Sequence, residues 1–240
     1  MKQSPGKPTT VRALSRREAM SLLGVSGAAL SFGCGAAAES AVSPSSILTG
    51  TAGACAVTPT ETVGPFPSLA DFLRSDIREG RPGVPLALAI SVVNVNNGCA
   101  PVASAAVDVW QCDAEGHYSQ YSQSGYNGTG ATFLRGIQLT DGNGIATFTT
   151  IYPGWYQGRA THIHVEILQN GVSRKVTQIA FPESVTAAVY GSGVYATRGS
   201  NPTTNASDGI FADSLSSEMA MISGDPASGY TASFTVGISA

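Results

Sequence analysis

A chain of 240 residues, 42 % hydrophobic and 12 % charged, with 28 glycines, has the composition of a globular protein and not of a disordered one. Its formal net charge of −3 argues against a nucleic-acid-coating role. The length fits one well-packed domain or two small ones, and richness in Gly, Ser, Thr and Ala at low charge suits an all-β fold.

The first 38 residues read separately from the rest. Lys2, Lys7 and Arg12 lead to Ser15-Arg16-Arg17, after which Ala19 to Ala38 carries no charge and ends in Ala36-Ala37-Ala38. The pattern resembles a twin-arginine export signal with a small-residue cleavage site. A membrane span needs a longer apolar run than one broken by Gly24, Ser26, Gly27 and Ser31, so residues 1–38 are expected to be removed, not kept as an anchor. Leu30-Ser31-Phe32-Gly33-Cys34 loosely resembles a lipoprotein cleavage box and leaves lipidation at Cys34 as the alternative. Cleavage near Ala38 removes five basic residues and one acidic residue, taking the net charge from −3 to −7. Such a surface repels polyanions. The expected location is the cell envelope or the exterior.

Residues 39–54 are small and polar, with Pro44, Gly50 and Gly53, and read as a linker, so an ordered domain is expected over 55–240. Thr58-Pro59 through Gly64-Pro65-Phe66-Pro67 carries prolines that block helix and central strand alike, which dictates an extended path wrapping the domain. Arg74 to Gly83 follows as a charged loop. Strands are expected at Leu86 to Val95, Ala106 to Gln111, Phe133 to Thr140, Ile145 to Ile151, His162 to Leu168 and Lys175 to Phe181, each β-branched or alternating. Asn96-Asn97-Gly98 and Asp141-Gly142-Asn143-Gly144 are turn signals, the second joining a hairpin. Asp213 to Ile222 could form a short helix, and Thr231 to Ile238 a closing strand. Short strands at this spacing predict an antiparallel β-sandwich with long wrapping loops.

After cleavage the cysteines are Cys55, Cys99 and Cys112, enough for one disulfide and one free thiol in an oxidising compartment. Cys99 and Cys112 bracket an expected strand whose ends lie about 20 Å or more apart, at roughly 3.3 Å per residue. Cys55 is therefore expected to pair with one of them. They are too scattered for a zinc site.

The most chemical stretch is Trp155-Tyr156-Gln157-Gly158-Arg159-Ala160-Thr161-His162-Ile163-His164, which holds two of the three histidines. On a strand, His162 and His164 leave from one face while Ile163 turns to the other. Such a pair serves either packing or metal binding. Tyr156 and Tyr118 stand nearby, and two imidazoles with two phenolates suit a small, highly charged cation such as ferric iron better than zinc or calcium.

Asp108-Val109-Trp110-Gln111-Cys112-Asp113-Ala114-Glu115-Gly116-His117-Tyr118, Phe133-Leu134-Arg135-Gly136, Thr150 to Tyr156 and Arg159 to His164 resemble, in that order, the intradiol ring-cleavage dioxygenases of the catechol and protocatechuate 3,4-dioxygenase type. The resemblance covers about Cys55 to Phe181 and is nearest to the secreted, single-domain branch. It implies one Fe(III) per chain, with Tyr156 and His164 as axial ligands and Tyr118 and His162 as equatorial ones. His117 is then an exposed structural neighbour. Arg159 corresponds to the family's active-site arginine and Gln178 to a glutamine near the metal. The implied substrates are a small aromatic diol and O₂, and the implied product is a cis,cis-muconate-type diacid, with Tyr156 accepting one substrate proton. Pro65, Phe66, Trp155 and Tyr121 are the residues on which the pocket would depend. The helical dimerisation region of cytoplasmic catechol dioxygenases is absent, which leaves the oligomeric state open. Two other classes fit the histidines: a secreted β-sandwich binding module without catalysis, and a copper or zinc enzyme.

Overall fold

The computed structural model describes residues 55–240; the expected export signal, the expected linker and Cys34 lie outside them. Eleven strands occur among the described residues. They are β1 (Pro85–Asn94), β2 (Ala100–Pro101), β3 (Ala106–Trp110), β4 (Ser122–Gln123), β5 (Tyr126–Asn127), β6 (Arg135–Leu139), β7 (Ile145–Ile151), β8 (His162–Gln169), β9 (Val172–Ala180), β10 (Met221–Asp225) and β11 (Gly229–Ile238).

The strands build the expected sandwich. In one sheet β1 is central, flanked by β11 and β10 on one side and by β7 and β2 on the other. Alternation makes it amphipathic: Leu86, Leu88, Ile90 and Val92 of β1 and Tyr230, Ala232, Phe234 and Val236 of β11 point inward and are buried. The second sheet has the order β6-β3-β8-β9. Val107, Val109, Ile163, Val165, Ile167 and Ile179 complete the same core from that side. Pairing is antiparallel except between β1 and β11, which run parallel.

Two expectations change in detail, and one element was not expected. The strand expected from Phe133 starts at Arg135, because Leu134 takes a left-handed φ of 57° and donates its N–H to Ile77 O. The helix expected over Asp213 to Ile222 is confined to Leu215–Glu218, since Met221–Asp225 pairs with β11 as an edge strand. Glu183–Tyr190 is a helix that the diluted periodicity of that region concealed.

The proline-rich segment wraps the domain along a defined path. Glu61 N–H donates to Val176 O on β9, Arg135 of β6 donates to Phe66 O, and Ile137 N–H donates to Phe72 O. The strap therefore passes over the outer face of the second sheet from one edge strand to the other and satisfies edge groups on both. Cys55 is bonded to Cys99, with Cα atoms 5.7 Å apart, and Cys112 is a buried free thiol. No described helix is long and apolar enough to cross a membrane.

Candidate metal centre

Register builds a row of functional side chains across the second sheet. Arg135 of β6 stands opposite Trp110 of β3, Trp110 opposite His164 of β8, and His164 opposite Gln178 of β9. Directly opposed residues share a face, so all four project to the side away from the core. His162 lies two residues along β8 on the same face, and both imidazoles are buried.

The phenols arrive from loops. Asp113 shapes the first: its Oδ1 accepts from the N–H groups of Glu115 and His117, its own N–H donates to His117 O, and Arg81 pairs with its carboxylate. That stapled turn delivers Tyr118, which is fully buried. His117 stacks on Tyr126 at 4.1 Å between centroids and is half-buried, not exposed. The turn after β7 delivers Tyr156, which is less buried than Tyr118.

Four donor atoms of the expected set come together. His162 Nδ1 donates to Ala160 O at 2.6 Å; a carbonyl only accepts, so the neutral ring leaves a lone pair on Nε2. That Nε2 lies 3.1 Å from His164 Nε2 and 3.3 Å from Tyr156 Oη. The Tyr118 ring sits 5.7 Å from that of Tyr156 and 6.5 Å from that of His164, and its Oη is buried without a hydrogen-bond partner.

Burial sets the protonation states. It brings the His162 pKa down to about 3, assisted by the positive charge of Arg159, and holds that of His164 well below the usual imidazole value, so both rings are neutral and fit to ligate. It also raises Tyr118 well above the ordinary phenol range and Tyr156 to about 12, the latter despite Arg159. Neither phenol ionises near neutrality unaided, and a coordinated cation reverses that balance. Two neutral imidazoles and two phenols, one of them fully buried with its oxygen unpartnered, fit a hard, highly charged metal ion.

Arg159 and Gln178 adjoin the donors. Arg159 Nε donates to Asp208 Oδ2 at 2.8 Å, and a terminal nitrogen donates to Gln178 Oε1. Gln178 Nε2 in turn donates to Thr62 O of the strap. Burial raises the Asp208 pKa, but bonds from the Ala160 and Ile210 N–H groups and from Arg159 outweigh it and hold the carboxyl below its usual range.

Sequence reasoning missed Asp208, which sits in a Gly-, Ser- and Asn-rich loop with no periodic signal. The role of Arg135 was also missed, although an arginine inside an expected buried strand is itself a signal. It donates to Phe66 O, Ser119 O and Ser119 Oγ, fastening the strap and the residue after Tyr118 to β6. Of the expected pocket residues, Phe66 packs against Tyr118, Tyr121 and Tyr156. Trp155 is instead bound to Gly199 O and covered by Arg198.

A family profile described as dioxygenase matches residues 66–198. An intradiol ring-cleavage dioxygenase from Tetranychus urticae is similar at 32% identity with a TM-score of 0.71, the match covering 77% of this chain and 95% of that one. The dioxygenase domain of a dioxygenase carbohydrate-binding protein fusion from Streptomyces sp. SirexAA-E is 26% identical with a TM-score of 0.55, covering 76% and 97%. Catechol 1,2-dioxygenase from Pseudomonas arvilla C-1 shares the fold at 21% identity and a TM-score of 0.54, covering 75% and 62%. By that family match and its likeness to the Tetranychus urticae enzyme over most of both chains, the protein belongs to the intradiol ring-cleavage dioxygenases, oxidoreductases that cleave catechols.

Proposed function

We propose that Tyr118, Tyr156, His162 and His164 hold one ferric ion per chain, and that the enzyme uses O₂ to cleave catechol-type aromatics between their hydroxyl-bearing carbons into cis,cis-muconate-type diacids. The observation that carries this reading is the convergence of two neutral imidazoles and two phenols, with the Tyr118 oxygen left without any other partner. Ferric iron bound there would supply a Lewis acid that makes catechol hydroxyls acidic and draws electron density from the ring.

The chain's own groups do the rest. Phe66, packed at 4.8 Å on Tyr118 and edge-on to Tyr156, offers an aromatic wall suited to a flat ring. Tyr156 is the more accessible phenol, and its Oη, driven toward the protonated form by burial, is suited to take one catechol proton. Arg159 keeps a permanent positive charge beside it and stabilises negative charge developing on the substrate. Asp208 and Gln178 fix the direction of that guanidinium.

Export by the twin-arginine route, through the Ser15-Arg16-Arg17 signal over residues 1–38, belongs to the same proposal. The Cys55–Cys99 bridge supports an oxidising destination.

Metal analysis and visible spectroscopy of aerobically purified protein test the reading. It expects about one iron per chain, a phenolate-to-iron absorption band, a shift of that band on anaerobic addition of catechol, and loss of band and turnover in Tyr118→Phe. A colourless protein without iron would be a binding module, and one holding zinc or copper without catechol cleavage would be the other rival; either result defeats the proposal.

A further inference from the structure

His162 and His164 are held in different ways. His162 donates its Nδ1–H to Ala160 O, which fixes its tautomer and ring plane. His164 Nδ1 is buried and meets no hydrogen-bond partner. Metal-binding imidazoles nearly always donate their second N–H to an acceptor, which orients the ring and makes the ligating nitrogen more basic. Rotation about the bond to an imidazole ring is otherwise loosely defined. On the Nδ1 side, where a metal-binding imidazole is ordinarily anchored, something other than a hydrogen bond must orient His164.

Trp110 supplies it. The residue stands directly opposite His164 in the β3–β8 register, with ring planes 4° apart and centroids 4.9 Å apart. The indole is buried, and its Nε1 has no hydrogen-bond partner, so Trp110 acts through its face. The main chain of Gly64 closes in on the Cε1–Nε2 edge: a Cβ there would lie 2.9 Å from Cε1 and 3.2 Å from Nε2. A flat ring confined by an indole and a backbone cannot turn without collision.

We propose that Trp110 is a positioning residue whose stacked face substitutes for the missing hydrogen bond, aiming His164 Nε2 at His162 Nε2 and leaving His164 the less basic nitrogen donor. The inference rests on His164 being a metal ligand.

The full chain is compared with its Trp110→Phe, Trp110→Leu and Phe148→Leu variants, first without metal. The indole ring current moves the His164 imidazole C–H signals upfield in proton NMR; Phe at 110 keeps part of that shift, and Leu abolishes it and broadens the signals. After ferric loading, Trp110→Leu binds iron about 10- to 100-fold more weakly and displaces the phenolate-to-iron band, while Trp110→Phe stays near wild type. Phe148→Leu, a core truncation in the other sheet, lowers Tm and alters neither spectrum. Wild-type His164 shifts and an unmoved band in Trp110→Leu would reduce Trp110 to packing. If that variant does not fold, an absent upfield shift in the wild type, or a Trp110→Phe protein that loses the band entirely, overturns the proposal. A wild-type chain that shows the shift yet takes up no iron instead defeats the ferric reading, and Trp110 then has no ligand to position.

Discussion

Arg159 Nε lies 2.8 Å from Asp208 Oδ2, and the same carboxylate oxygen accepts the N–H of Ala160 at 2.6 Å, so one buried acid fixes both the guanidinium and the backbone leading into His162. Positioned charge is worth most where water is excluded. Asp208→Asn should therefore retain iron through the four proposed ligands but lower kcat by roughly 10- to 100-fold, because Arg159 loses its fixed direction. Iron content measured beside kcat checks this, and loss of metal in proportion to activity would contradict it.

Gly64 has no room for a side chain. Its φ of 68° costs an L-residue roughly 1–2 kcal/mol, and the added Cβ would press on Cε1 and Nε2 of His164. Gly64→Ala should fold with a lower Tm and bind iron substoichiometrically. Elemental analysis of the purified variant decides the matter; a full complement of iron would mean that the strap yields easily.

Glu218 gives stability a pH dependence of defined sign. Burial raises its carboxyl from 4.5 to about 7, with the nearby charge of Glu61 adding to the effect and hydrogen bonds from Ser214 and Thr177 opposing it. The folded state thus binds this proton more tightly than the unfolded chain does. Its contribution is fully present below about pH 4.5 and is lost as pH rises through about 7. Glu218→Gln should remove that loss and raise stability at pH 8 by roughly 1–3 kcal/mol, with little effect at pH 4. Urea unfolding at the two pH values tests both halves of the statement.

The Cys55–Cys99 bridge closes a loop with a sequence separation of 44 and ties the start of the strap to the turn after β1. Replacing both cysteines by serine should cost roughly 4 kcal/mol on loop entropy alone. The comparison is made by denaturant unfolding of the oxidised protein and the double variant, and equal stabilities would show that the strap is fastened by its hydrogen bonds.

Strand positions were legible because they rest on a local period. Leu86 to Val92 and Ile145 to Ile151 announce one buried face each, and His162 and His164 had to share a face on any strand. The loops between residues 182 and 230 were not legible, since Gly, Ser and Asn dilute every period and β10 takes its identity only from pairing with β11.

By itself the sequence determined the all-β class and the wrapping course of the proline-rich strap, because periodicity and proline geometry act over a few neighbours, and short motifs resembling the family's pointed to the six residues of the proposed site. Only the tertiary structure decided that Cys99 and not Cys112 meets Cys55, that Asp208 anchors Arg159 across 49 residues, and that Trp110 faces His164. Those relationships depend on sheet register and loop closure, which emerge from packing the whole core and leave no mark in any short stretch of chain.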